Sequence, residues 1–133
     1  MADTILNDLR AAVIGDATLS ALIAKRYYPD VAPQSASVPY IVYTDISLAT
    51  DQDLNGTNGN RTTRIQFDVY ATTKAKARTL REALLALFDG YQGTLRAGAV
   101  VIQHTQLANL RSGFEPGDKV YHYGMDFTFD YKI

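Results

Sequence analysis

No cysteine and no tryptophan occur among the 133 residues, and histidine occurs only twice. Without cysteine there can be no disulfide, no Cys-ligated zinc or iron–sulfur site and no thiol nucleophile, and the composition fits a reducing compartment. No apolar run is long enough to cross a membrane as a helix. Asp3 and Asp8 lie where a signal peptide carries positive charge, so neither a secretion signal nor a membrane anchor is expected, and the mature protein is expected to be essentially the whole chain. An excess of charge of either sign is also missing. Thirteen basic against fourteen acidic residues leave a net charge of −1, which argues against binding nucleic acid through a broad basic patch. What is present is ordinary for one soluble domain: 47% hydrophobic and 20% charged residues, in a chain long enough to bury its own core. A single domain over 1–133 is expected.

Periodicity supplies the elements. Asp3 or Thr4 can cap a helix whose Ile5, Leu6, Leu9, Ala12 and Val13 recur at three- and four-residue spacing, and Asp16 can cap a second, short helix carrying Leu19, Leu22 and Ile23. Three prolines between residues 26 and 39 predict an extended connector. Tyr40 to Ile46 is rich in β-branched and aromatic residues, a strand. Residues 48–60, with Asn55-Gly56 and Asn58-Gly59, read as a long polar loop, mobile in the isolated subunit and ordered by a neighbour. Ile65, Phe67 and Val69 alternate with polar residues in a strand over 61–70. Thr72 or Thr73 then caps the best helix in the chain, which carries Ala77, Leu80, Leu84, Leu87 and Phe88 inwards and Lys74, Lys76, Arg78 and Arg81 outwards, and stops at Asp89-Gly90. Strands follow over 99–107 and 120–131, separated by a turn-rich stretch over 112–118. In the last strand Tyr121, Tyr123, Met125, Phe127, Phe129 and Tyr131 alternate with residues of the opposite face. The fold class read from this order is α+β: an antiparallel or mixed sheet of about four main strands with helices packed on one face.

Catalytic patterns are scarce. His104 and His122 lie in separate strands, and only a particular hairpin register would bring them together with Asp126 as metal ligands, so the ordinary reading is two strand histidines. No Gly-x-Ser-x-Gly elbow, P-loop or dinucleotide fingerprint occurs. Residues 55–60 could form an anion nest, but they lead into a strand and not into a helix N-terminus, so a hairpin tip is the simpler reading. Asp51 and Asp53 begin an EF-hand-like spacing that nothing continues. The basic residues from Lys74 to Arg81 read as a solvated helix face before a phosphate patch. Nine tyrosines suit equally a protein interface or a β-rich core with its hydroxyls at the rim. No cofactor is expected.

Taken together, Arg26-Tyr27-Tyr28-Pro29, Ala32-Pro33-Gln34, Pro39-Tyr40-Ile41-Val42-Tyr43, Arg64-Ile65-Gln66-Phe67-Asp68-Val69-Tyr70-Ala71 and the closing Asp126-Phe127-Thr128-Phe129-Asp130-Tyr131 resemble the small tail-completion (tail-terminator) proteins of long-tailed phages and prophages. The combination and order of these segments carry the resemblance, which runs from the first helix to Ile133. It implies a non-enzymatic structural protein of the virion tail, assembled in the host cytoplasm. Its subunits would form a ring, a homohexamer, that caps the head-proximal end of the tail tube. The partners implied are the chain itself, the major tail tube protein and a neck or connector protein, with genome DNA passing through the lumen unbound and no membrane involved. Asp51, Asp53, Asn55, Asn58, Arg61, Arg64, Tyr121 and Tyr123 are the candidate subunit or tube contacts. The alternatives are a head–tail connector, neck or minor tail protein and, from another class, a small metal- or ligand-dependent enzyme using His104 and His122.

Overall fold

The structure, a computed structural model, describes residues 4–94, 100–117 and 119–132. Chain order is α1 (Thr4–Gly15), α2 (Ala17–Ile23), β1 (Tyr27–Pro29), β2 (Tyr40–Asp53), β3 (Gly56–Ala71), α3 (Lys74–Phe88), β4 (Gly93–Thr94), β5 (Val101–Glu115) and β6 (Val120–Lys132). The strands form one mixed sheet in the order β1-β2-β3-β6-β5-β4. Only β1–β2 is parallel; the four long strands in the middle alternate in direction. The expected class is recovered, with two short edge strands added to the four expected.

Caps and breakers act where the sequence places them. Asp16 accepts from the Leu19 amide at 3.1 Å and starts α2, and Thr73 accepts from the Lys76 amide at 3.2 Å and starts α3. Gly90, at φ +75°, takes the left-handed position just after α3, where a Cβ would be strained.

Three stretches differ from expectation. Residues 48–60 are not a long loop: β2 and β3 pair as far as Asp53↔Gly56, leaving Leu54 and Asn55 as the turn, with Gly56 at φ +106° behind it. Asn58 and Gly59 lie inside β3, where the strand is irregular: between Thr50↔Arg61 and Gln52↔Thr57, one residue of β2 faces three of β3. The Asn-Gly signals therefore mark a turn and a bulge within one long hairpin. Ser112 to Glu115 are likewise strand, and the turn between β5 and β6 begins only at Pro116. The connector over 26–39 contributes β1, which Arg26 helps to fix by donating from Nε to the Pro39 carbonyl at 2.9 Å.

All three helices cover the same face of the sheet. Ile5, Leu9 and Val13 of α1, Leu19 and Ile23 of α2, and Leu80, Leu84 and Phe88 of α3 are fully buried against Ile41, Ile65, Phe67, Val69, Met125, Phe127 and Tyr131. Phe88 anchors α3, with ring centroids 5.4 Å from Phe67, 5.9 Å from Phe127 and 5.6 Å from Phe129. Asp8, within the apolar stripe of α1, is buried and accepts from the Val100 amide at 3.1 Å, so α1 is latched to the entrance of β5. Truncating the anchor, Phe88→Ala, should destabilise the fold by about 3–5 kcal/mol, the usual cost of deleting a buried aromatic ring. Urea unfolding followed by far-UV circular dichroism measures it, and a loss below about 1 kcal/mol would mean that α3 is held elsewhere.

Candidate functional site

Period-two alternation that sends Phe67, Phe127 and Phe129 to the helices sends their neighbours to the opposite, helix-free face. The register Gln66↔Asp126, Asp68↔Gly124 and Tyr70↔His122 brings polar side chains of β3 and β6 together there. Arg64 donates from Nη2 to Asp126 Oδ2 at 2.8 Å, and Arg111 on β5 reaches Asp126 Oδ1 at 3.6 Å. Asp68 lies 2.8 Å from His122 Nε2 and accepts from the Gln66 amide at 3.1 and 2.8 Å. Both carboxylates are buried, while the arginines are half-exposed. Gly124 sits between the two clusters, and a Cβ there would lie 3.0 Å from Asp68 Oδ1 and 3.1 Å from Arg111 Nη2. Thr62 donates to Asp130 at 2.6 Å further along the same face.

Beside these pairs runs a ladder of rings across four strands. Tyr28, Tyr40, Tyr70 and His122 succeed one another at centroid separations of 5.9, 5.0 and 4.7 Å. The tyrosines thus divide between the two readings: Tyr27, Tyr123 and Tyr131 belong to the core, and Tyr28, Tyr40 and Tyr70 to the helix-free face.

The sequence-derived contact residues fall into separate groups. Asp51, Asp53, Asn55 and Asn58 lie at the β2–β3 hairpin end, and Asp51 and Arg61 share a polar hollow of about 450 Å³ with His104 and Asp130. Arg64 is engaged with Asp126. Tyr121 and Tyr123 lie about 33 and about 26 Å along β6 from Tyr131, the residue facing Arg61, at 3.3 Å per residue. Tyr123 is buried, with Lys74 Nζ and the Arg81 guanidinium 4.8 and 4.9 Å from its ring centroid, and Tyr121 is half-buried and packs on the exposed Phe114. Lys74 and Arg81, expected to face outwards, therefore cover a core tyrosine, while Lys76 and Arg78 are exposed.

The metal-ligand reading of the histidines fails on register. His104 stands opposite Asp130 and His122 opposite Gly113, eight residues apart along β6 or about 26 Å. His122 engages Asp68 and not Asp126. Among the described residues no group of three or more His, Asp or Glu is placed to hold a metal ion. No described helix is long and apolar enough to cross a membrane.

Burial first, then the adjacent Asp68, pushes the Tyr70 phenol up to about 12, and burial followed by Tyr43 raises Tyr27 well above its ordinary value of 10.0. Burial also raises Tyr43, whereas hydrogen bonding by Lys74 lowers Tyr123. Raised phenols keep their protons in the folded chain while the unfolded chain loses them, so their contribution is complete below pH 10.0 and is lost as pH rises further; Tyr123 opposes this alone. The urea midpoint should therefore hold between about pH 8 and pH 10 and fall by about pH 11, and a midpoint that rises across that interval would contradict this balance. A double-mutant cycle of Arg64→Ala and Asp126→Ala should give a coupling of about 1 kcal/mol, since solvent screens only the arginine side of the pair. A coupling indistinguishable from zero would reduce the pair to surface decoration.

The family model described as Tail completion protein gp17 matches residues 7–131. Among curated proteins no significant match is found. Among solved structures, a chain in the "Virion of native gene transfer agent (GTA) particle" is similar, with 17% identity, a TM-score of 0.73, and coverage of 99% of this chain and 100% of that one. At that identity the likeness establishes a shared fold, from the first helix through the central strand β6. The family match spans nearly all the elements that build the helix-free face, and with it the chain belongs to the tail completion protein gp17 family, as a structural protein of the phage-type virion tail.

Proposed function

We propose that the protein forms a closed ring, a homohexamer, on the head-proximal end of the tail tube. There it ends tube polymerisation and offers a surface to the neck or connector, acting by assembly and not by catalysis. The observation that carries this reading is the match of residues 7–131 to a tail completion family. A ring of one chain type needs head-to-tail contacts, in which two different patches of a subunit meet. The near-neutral charge of the chain and the paired state of Arg64, Arg111 and His122 support a lumen through which genome DNA passes without being gripped. The hairpin-end residues Asp51, Asp53, Asn55, Asn58 and Arg61 are the part of the sequence-derived contact set best placed for a neighbouring subunit or the tube.

Contacts of a terminator should stay weak until a tube end presents itself, so dilute protein is expected to be monomeric and to assemble with concentration. Native mass spectrometry over a concentration series, with and without purified tail tubes, should show six-subunit species favoured by tube ends. A stable dimer that never binds tube ends at any salt concentration would overturn the terminator reading.

A further inference from the structure

The sheet leaves two edges open. On one side β1 covers β2 only at Ile41–Tyr43, and among the described residues no strand lies beyond β2 from Ser47 to Thr50. On the other, β4 covers β5 only at Val101–Ile102, and the end of α3 covers the next stretch: the Gly90 amide donates to the Thr105 carbonyl, and the Leu107 amide donates to Asp89. From Asn109 to Glu115 no described strand lies beyond β5, and all seven residues are exposed. Long uncovered edges expose a row of amides and carbonyls that template pairing with another chain, and proteins normally blunt them with charge, proline or a covering element. Here Arg111 and Glu115 share the open stretch of β5 with exposed apolar residues. Leu48 is 49% exposed, Leu110 39% and Phe114 48%.

The geometry points to these two edges as each other's partner in a second copy of the chain, the open part of β2 adding to the open part of β5 of the next subunit. Three observations favour that occupant. First, direction: β2, β3, β6 and β5 alternate, so a copy set beside the sheet in the same orientation brings β5 antiparallel to β2 and continues the ladder unbroken. Second, fit: the β2 opening lies toward the hairpin end and the β5 opening toward the opposite end. Pairing them offsets neighbours along the strands, as tilted strands in a closed sheet require, and leaves β1 and β4 outside the joint. Third, face: Leu48 stands opposite buried Thr63, and Leu110 and Phe114 stand opposite Met125 and Tyr121, so all three belong to the helix-bearing side and would meet across the joint. The backbone polarity agrees. Because the Leu107 amide points outward to Asp89, the alternation beyond the irregularity at Ala108 turns the amides of Leu110, Ser112 and Phe114 outward as well. The pairing deepens the ring reading and depends on it only for closure.

Ser112→Pro tests the joint, since proline there removes an outward amide and leaves the β5–β6 ladder intact. The variant should fold, with an unchanged urea midpoint, and need at least about tenfold more protein to assemble, the worth of roughly one hydrogen bond; Ser112→Thr should assemble as the parent does. As a second readout, the cysteine-free chain permits Leu48→Cys to be mixed with Leu110→Cys, Ser112→Cys or Phe114→Cys. One mixed pair should cross-link on oxidation where neither variant alone does. Rings that form normally with Ser112→Pro and never cross-link would overturn the edge pairing and leave the ring standing. Open chains that cross-link would uphold the pairing and remove the ring, and a chain that neither assembles nor cross-links at any concentration would remove both.

Discussion

The contact of Phe88 with Phe67, Phe127 and Phe129 governs the rest of the architecture. It clamps α3 onto the two central strands and decides which side of the sheet is dry. Because side chains alternate along a strand, that decision commits Gln66, Asp68, Asp126 and Thr128 to the other side. A slip of one residue in β6 would drive Asp126 under Phe88 and Phe127 into the Arg64–Arg111 cluster, so packing and polar pairing enforce the same register. The charged network is placed by the aromatic core, and its two buried carboxylates are tolerable because each has a cation or donors within reach.

Where one face of an element is buried, the sequence announces it. The alternation from Tyr121 to Tyr131, the stripe of Ala77, Leu80, Leu84 and Phe88, the caps at Asp16 and Thr73 and the stop at Gly90 all reappear as read. Expectation fails where burial gives no pattern. Residues 108–115 of β5 are strand with both faces exposed, so no period of two marks them. The distal half of the β2–β3 hairpin is mostly polar and largely exposed, and its Asn-Gly pairs suggest a loop although the backbone stays paired nearly to the tip. β1 and β4, three and two residues long, are too short to carry any period.

The polar face was legible only in part for a different reason. Its residues are named by alternation, but their pairing depends on the offset between strands that are distant in sequence. His122 finds Asp68 fifty-four positions away, and Arg64 finds Asp126 sixty-two away. The same offset separates His104 from His122, which sequence spacing alone leaves free to meet. Asp8 offered the clearest missed signal: it lies three residues after Ile5 and four before Ala12, inside the apolar stripe of α1, where an acid needs a buried partner.

The position of β6 has a bearing on how the chain acquires its shape during synthesis. It is the last of the six strands to leave the ribosome, yet it occupies the middle of the sheet between β3 and β5. Until it arrives, β3 has an empty side, β5 has no long neighbour, and α3 lacks two of the three rings that seat Phe88. Before that, the β1–β2–β3 part and the β4–β5 pair have no strand to join them, and the sheet closes when β6 pairs with both in a late step of long-range pairing. A subunit built this way has no half-finished form that carries both edges in place.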